Sequence, residues 1–414
     1  MDSPIPAISK KTSTAVWLLV PLFFSFYFFR ISLSHQPFWD EMAYVNAARA
    51  YLVSSKPFPN PEHPPLGKLI ILTGIKIWGD RPEGWRFFAA LAGALSGTLL
   101  VALTWRLTRR LGVALFCGAL FLLDPLLYVH FRLGMLDPPL LVFLLAATAV
   151  TLRIWEEPVL KTRRFYWLGL FLGLAMATKM LALVLMPAFW LLVLARCRKD
   201  GELLRSLPHL VISALVLPCL LYLGTYRLLG YTPAEVWDLT VYNFGYHHYH
   251  RGAENMGSRW YEWLYVGKPM WYYYQQIDAG HIRAILGTGN LVLWVGAELL
   301  ALYALLRKFR DPEIWFLGSL PLIQLALYFV KPVTFLQYMV TILPFFYLLM
   351  GIGIADLFQR FGERHRRLLQ IDFACFFFGA LALFLNYWPY IHGQPMTLET
   401  FHAVSVQGPP YSKP

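Results

Sequence analysis

Eleven apolar stretches, each close to bilayer-crossing length, dominate this chain and restrict it to one kind of fold. A helix needs about 20 apolar residues to cross a hydrocarbon layer of roughly 30 Å. The stretches run 14–33, 86–105, 111–130, 134–154, 165–179, 180–196, 208–227, 286–306, 312–330, 334–356 and 369–388, the fifth being short and almost continuous with the sixth. With 57% hydrophobic and 14% charged residues, 414 residues could not stay dispersed as a soluble domain. The expected fold is an all-α polytopic membrane protein with about 11 transmembrane helices. We read 1–414 as one membrane domain, decorated by outer loops at 34–85 and 228–285. Neither an internal repeat nor a low-complexity tract is evident.

A formal net charge of +12 would suggest nucleic acid or another acidic partner in a soluble protein. Here its placement reads as topology, and no nucleic-acid partner is expected. Basic clusters fall in alternate connections: Arg106, Arg109 and Arg110, then Lys161, Arg163 and Arg164, then Arg307, Lys308 and Arg310. The opposite short turns carry one basic residue each: Arg132, Lys179 and Lys331. By the positive-inside rule the clustered side is cytoplasmic, which puts the N-terminus inside, the C-terminus outside and both long loops on the outer face. The first apolar stretch lacks a small-residue cleavage pattern and is expected to remain as an anchor in a bacterial-type inner membrane. Cys117, Cys219 and Cys375 lie in spans and Cys197 at a cytoplasmic end, so no disulfide framework is read.

Chemistry-bearing residues gather in the outer loops. Asp40 and Glu41 are adjacent carboxylates just after the first apolar stretch. Such a pair suits proton abstraction from a hydroxyl at a membrane surface, and it equally suits a helix N-terminus, where acids complement the macrodipole. Met42, Val45, Ala48 and Leu52 share one helical face, predicting a short interfacial helix that holds Asp40 at headgroup depth. Beyond it, His63-Pro64-Pro65-Leu66-Gly67-Lys68 leads into an apolar run to Trp78, too short to span, hence re-entrant or interfacial.

Asp124, Arg132 and Asp137 lie at the outer end of the third and fourth stretches. Ionisable groups there normally face a cavity or a partner. Either Arg132 forms an ion pair that fixes the helix hairpin, or its guanidinium binds a lipid phosphate, with Lys179 joining it. In the second loop, Tyr246-His247-His248-Tyr249-His250 invites a metal reading. Adjacent histidines point in different directions and no Cys or carboxylate completes a known spacing, so no metal is expected. Trp260, Trp263, Trp271 and Tyr272-Tyr273-Tyr274 suit an interfacial aromatic belt, which can also border a sugar groove.

Five strings in register, Asp40-Glu41, His63 to Lys68, Gly84-Trp85-Arg86, Asp124 to Arg132 to Asp137, and Ala177-Thr178-Lys179, resemble the protein O-mannosyltransferases. That resemblance implies a C-type glycosyltransferase fold with outer-face interfacial helices and a polyprenyl-phosphate mannose donor. It makes Asp40 the catalytic base, with Glu41 positioning the acceptor. It places Arg132, with Lys179 and Lys68, at the donor phosphate, and His63, Asp137, His247 and Trp260 at the substrates. His247, Ser258, Trp260 and Trp263 are similar to the family's second-loop pattern; Tyr261 and Glu254 depart from it. Fewer than sixty residues separate the flanking stretches, so the chain looks like the compact prokaryotic type without an inserted β-trefoil.

The function so implied is inverting transfer of a mannosyl residue from the lipid-linked donor to Ser/Thr hydroxyls of protein. Asp40 accepts the proton, and no cofactor is required because cations can stabilise the leaving phosphate. Membrane lipid is the other expected partner. A relative that moves a different lipid-linked sugar, such as aminoarabinose, to a lipid or glycan is the nearer alternative. A transporter or flippase is the further one, though transporters place ionisable residues at mid-membrane rather than at the edge.

Overall fold

A computed structural model describes residues 15–32, 35–53, 60–249, 257–331 and 333–404. Helices account for most of it. After α1 (Leu19–Phe28) come α2 (Asp40–Val53) and α3 (Leu66–Trp78), then the long α4 (Pro82–Thr108) and the shorter α5 (Leu111–Leu122). One turn, α6 (Pro125–His130), leads to α7 (Asp137–Glu156), α8 (Arg163–Thr178), α9 (Leu181–Lys199), α10 (Leu203–Val211) and α11 (Leu217–Arg227). The second loop contributes α12 (Pro233–Tyr249) and α13 (Trp260–Trp263). The bundle closes with α14 (Leu291–Arg307), α15 (Pro312–Val330) and α16 (Leu343–Ile391), and α17 (Leu398–Val404) ends the described chain.

Each of the eleven predicted stretches overlaps a helix, but the correspondence is looser than the count. Among the described residues, six helical segments are long and apolar enough to cross a membrane, counting α10 and α11 as one continuous run Leu203–Arg227 and including the 49-residue α16. The shortfall has local causes. Asp124-Pro125 stops α5 at Leu122, because Pro cannot continue the ladder and Asp124 caps the next turn by accepting from the Leu126 and Leu127 N–H groups. The tenth and eleventh stretches join in α16, whose only break is a non-helical His365.

The two stretches of the first loop form helices of 14 and 13 residues, too short to span. Helix α3 packs on α4 through glycines: a Cβ on Gly74 would lie 2.2 Å from the Gly84 carbonyl oxygen, so both must stay bare for this approach. Asp40 and Glu41 open α2.

Within this largely helical fold, the second loop adds a small sheet that the sequence did not announce. Met270–Gln276 (β1) and His281–Gly287 (β2) form an antiparallel hairpin, and Pro395–Thr397 (β3) adds to β2. Asp278 makes the turn by accepting from the Gly280 and His281 N–H groups at 2.8 and 2.9 Å. Of the aromatic residues that read as a membrane belt, Trp271 and Tyr272 to Tyr274 are strand residues, where β-propensity favours them equally, while Trp260 and Trp263 lie in α13. Phe401 of α17 covers one face, 4.7 Å from the Trp271 ring centroid.

Candidate active site

Asp40 and Glu41 are neighbours with opposite fates, because successive helical residues diverge by about 100° around the axis. Glu41 points into the protein and is fully buried. Its carboxylate accepts from Arg86 Nε at 2.8 Å and Nη2 at 2.7 Å, and from the Gly134 N–H at 2.7 Å. Arg86 also donates to the Ile31 carbonyl at 2.8 Å. The expected acceptor-positioning residue is thus an internal strut that joins α2, α4 and the turn before α7.

Asp40 is half-buried. Its Oδ2 accepts from Gln337 Nε2 at 3.1 Å, and Gln337 Oε1 accepts from Trp39 Nε1 at 2.9 Å. Trp39 sits at φ 56°, a left-handed conformation that costs a non-glycine residue about 1–3 kcal/mol and clusters at functional sites. The Gln337 clamp and the Tyr272 ring, 5.7 Å away, hold it there. Desolvation raises the Asp40 pKa above the ordinary carboxylate value, against the Gln337 hydrogen bond and the Lys179 charge, which lower it.

Beside Asp40 stands a charged pair. Lys179 Nζ donates to both Asp137 oxygens, at 2.9 and 3.1 Å. Lys179 also lies 5.9 Å from the Tyr338 ring centroid, and Lys331 lies 4.9 Å from the same ring while donating to the Tyr338 hydroxyl at 3.2 Å. Burial, with Lys179 nearby, lowers the Lys331 pKa to about 8. Two cations on one aromatic ring beside a carboxylate make a site able to take a phosphate and a proton-bearing group together. Tyr338 is itself stacked on Tyr328 at 4.5 Å, and the buried Trp263 meets both rings edge-on.

The remaining predicted residues are placed differently. Arg132 pairs with neither Asp124 nor Asp137. It donates to the Phe29 carbonyl at 2.6 Å, the Arg30 carbonyl at 2.8 Å and the Tyr128 hydroxyl. Asp124 instead accepts from Trp294 Nε1 and the Tyr347 hydroxyl, each at 2.6 Å. With both terminal nitrogens holding α1 to the α6 turn, Arg132 is not presented as a free fork for phosphate. Arg132→Ala is therefore expected to lower thermal stability by about 1.5–3 kcal/mol, the size of a charged hydrogen bond, with little change in donor affinity per folded molecule. A selective loss of donor affinity at full yield would return the phosphate role to Arg132.

Lys68 is likewise turned inward, donating to the carbonyls of Asn60 at 2.6 Å and His63 at 2.8 Å. Burial lowers its pKa to about 7. It pins the Pro-rich turn, with its ammonium committed to these two carbonyls. The His63 ring meets Tyr44 of α2 at 5.8 Å, and Tyr44 in turn lies within electrostatic reach of Asp40, Asp137 and Tyr338. Trp260 rests on Phe329 rather than on the Asp40 group. The His247 side chain lies outside the described residues.

Sequence reasoning missed Gln337 and Tyr338, noted Lys331 only as a topological marker, and named Tyr272 only within an aromatic run. A polar Gln inside the apolar stretch 334–356 was the available signal, since an amide there needs a partner.

Comparison with known proteins supports the family resemblance. Residues 62–223 match the family model described as Dolichyl-phosphate-mannose-protein mannosyltransferase. That stretch holds His63, Lys68, Arg132, Asp137 and Lys179, while Asp40 and Glu41 precede it. The polyprenol-phosphate-mannose–protein mannosyltransferase of Corynebacterium glutamicum is 28% identical over 222 residues, 46% of this chain and 43% of that protein. Its namesake from Mycolicibacterium smegmatis is 30% identical over 231 residues, 46% of this chain and 44% of the relative. The matched part of the chain spans less than half the length of these curated relatives.

Among solved structures, the Saccharomyces cerevisiae protein O-mannosyltransferase Pmt1-Pmt2 complex bound to the sugar donor is similar with a TM-score of 0.80 and 12% identity, over 97% of this chain and 93% of that one. ArnT from Cupriavidus metallidurans bound to undecaprenyl phosphate gives 0.61 and 16%, over 89% and 64%. At such identities the likeness is one of fold. The chain is a multi-pass membrane protein with the C-type glycosyltransferase fold.

Proposed function

We propose that the chain transfers a mannosyl residue from a polyprenyl-phosphate donor to a Ser or Thr hydroxyl of a protein acceptor at the outer membrane face, with inversion. The observation that carries this reading is the half-buried Asp40, clamped by Gln337 next to the Lys179–Asp137 pair, in a chain whose fold matches a donor-bound O-mannosyltransferase. In this scheme the acceptor oxygen bonds to the anomeric carbon as the bond from that carbon to the phosphate oxygen breaks. The electron pair leaves with the lipid phosphate, and the hydroxyl proton passes to Asp40.

Lys179 and Lys331 are the cations we assign to the leaving phosphate. Charge building on that group is stabilised by both, and Asp137 keeps Lys179 from being an isolated buried charge before donor arrives. The outer-face location, the protein acceptor and the stereochemistry belong to the proposal. The deciding experiment incubates membranes carrying the chain with polyprenyl-phosphate mannose and either a Ser/Thr-rich peptide or a lipid A-type acceptor. Mannosyl peptide with an inverted anomer supports the reading. Transfer to the lipid alone would favour an ArnT-like activity, and no transfer to either would remove the assignment.

A pH dependence follows from Lys331. A lysine whose pKa is lowered to about 8 is charged below that pH and neutral above it. Donor kcat/KM is therefore expected to fall as pH rises through about 8, and Lys331→Arg should move that limb upward because guanidinium stays charged. An alkaline limb unchanged in Lys331→Arg would take Lys331 out of donor binding.

A further inference from the structure

Away from the Asp40 group, the structure has an unassigned apolar groove. It is an open groove of about 460 Å³ between α4, α7, α8 and the turn before α1, of a size with the roughly 300–1,000 Å³ of small-molecule sites. Val142, Ala146 and Ala149 form its floor along one face of α7, and Leu95, Leu99 and Phe171 its walls. The two alanines matter: small side chains at this spacing sink the α7 surface below its neighbours. The trough is apolar along its length and ends at Arg153. Asp137 and Arg153 lie at opposite ends of α7, about 24 Å apart at 1.5 Å per residue. This end is thus remote from the Asp40 group.

The charges at that end are unequal in their engagement. Arg106 donates to Glu156 at 3.0 and 2.9 Å, and Arg164 is paired with Glu157, which Lys161 also approaches at 3.7 Å. The Arg153 side chain is exposed and makes no hydrogen bond or ion pair among the described residues, although it lies in the electrostatic field of Glu157 and Arg106. Trp17 and Trp167, both about half exposed, flank the mouth, as indole rings do at headgroup level. An apolar trough of chain-like shape, flanked by tryptophans and closed by one uncommitted guanidinium, is complementary to a ligand with an acyl tail and an anionic phosphate head.

We propose that this trough binds one anionic phospholipid, with an acyl chain along Ala146 and Ala149 and the headgroup phosphate on Arg153. The site is separate from sugar transfer and does not depend on it. It would bind a structural lipid in the leaflet opposite the catalytic face, bracing α4, α7 and α8, which also position Arg86, Asp137 and Lys179.

The test uses the purified full chain in detergent, titrated with phosphatidylglycerol or phosphatidylcholine and followed by native mass spectrometry and thermal unfolding. Phosphatidylglycerol is expected to bind more tightly and to raise the unfolding temperature more. Arg153→Gln should weaken phosphatidylglycerol about tenfold or more, as expected for loss of one charged hydrogen bond, and leave phosphatidylcholine unchanged. Ala146→Phe, which fills the trough without touching the charge, should weaken both. Equal binding of the two lipids by the unaltered chain, or an undiminished preference in Arg153→Gln, would overturn the proposal. So would one-for-one displacement by undecaprenyl phosphate, which would assign the trough to a donor tail.

Discussion

Asp40→Asn is expected to lower sugar transfer by about 10²- to 10⁴-fold, the usual contribution of a positioned general base, with folded yield and donor binding intact. The amide has the same shape, and its oxygen can still accept from Gln337 Nε2, which donates to Asp40 at 3.1 Å. Only proton acceptance is removed. The pH dependence gives a second readout. Because desolvation raises the Asp40 pKa from 3.8, the ionised base is present above the raised value and lost as pH falls through it, so the acid limb of kcat/KM should lie above pH 3.8. The residual activity of the variant should lack that limb.

Stability runs the other way. A carboxyl whose folded pKa exceeds its unfolded one binds more protons in the folded state between the two values, so stability falls as pH rises through that window. At neutral pH the charged Asp40 is therefore a burden on the fold, and Asp40→Asn should match or exceed the original chain in thermal unfolding. Near-original turnover, or a fall in unfolding temperature large enough to explain lost activity, would take Asp40 out of the mechanism.

What could be read in the sequence was what is local. Apolar stretches declare helices because each satisfies its own backbone, and Asp40-Glu41 stood out because carboxylates are rare beside such stretches. Partnerships across the chain were not legible. Gln337 meets Asp40 from 297 positions away, and no periodicity links them. Arg132 lay at short offsets from Asp124 and Asp137, which suggested a local triad; the α6 turn instead directs it to the carbonyls of Phe29 and Arg30. Met270–Gln276 carries aromatic residues that serve a belt and a strand equally well, and what fixes it as a strand is pairing with His281–Gly287 and, through that strand, with Pro395–Thr397. Lys179 and Asp137, by contrast, were both singled out as site residues, and the structure adds only that they are each other's partner.

The second large effect is expected at the other carboxylate, and on folding rather than chemistry. Breaking a buried ion pair by removing one member costs about 3–5 kcal/mol, because the survivor is left charged in a low-dielectric interior. Arg86 and Glu41 are 2% and 0% exposed in their side chains and 2.7 Å apart, so Arg86→Met should strip most folded protein from the membrane fraction. Glu41→Met should do the same. The double variant removes both charges and is expected to recover part of the loss. Full recovery is blocked because the Gly134 N–H and the Ile31 carbonyl would lose the partners they have at 2.7 and 2.8 Å. Glu41→Gln separates this role from a substrate-facing one: it keeps the shape and an acceptor for Gly134, but weakens the Arg86 bond. Reduced unfolding temperature with normal activity per folded molecule is the expected result. Unchanged stability with abolished transfer would instead make Glu41 a substrate-facing residue, as the family resemblance first implied.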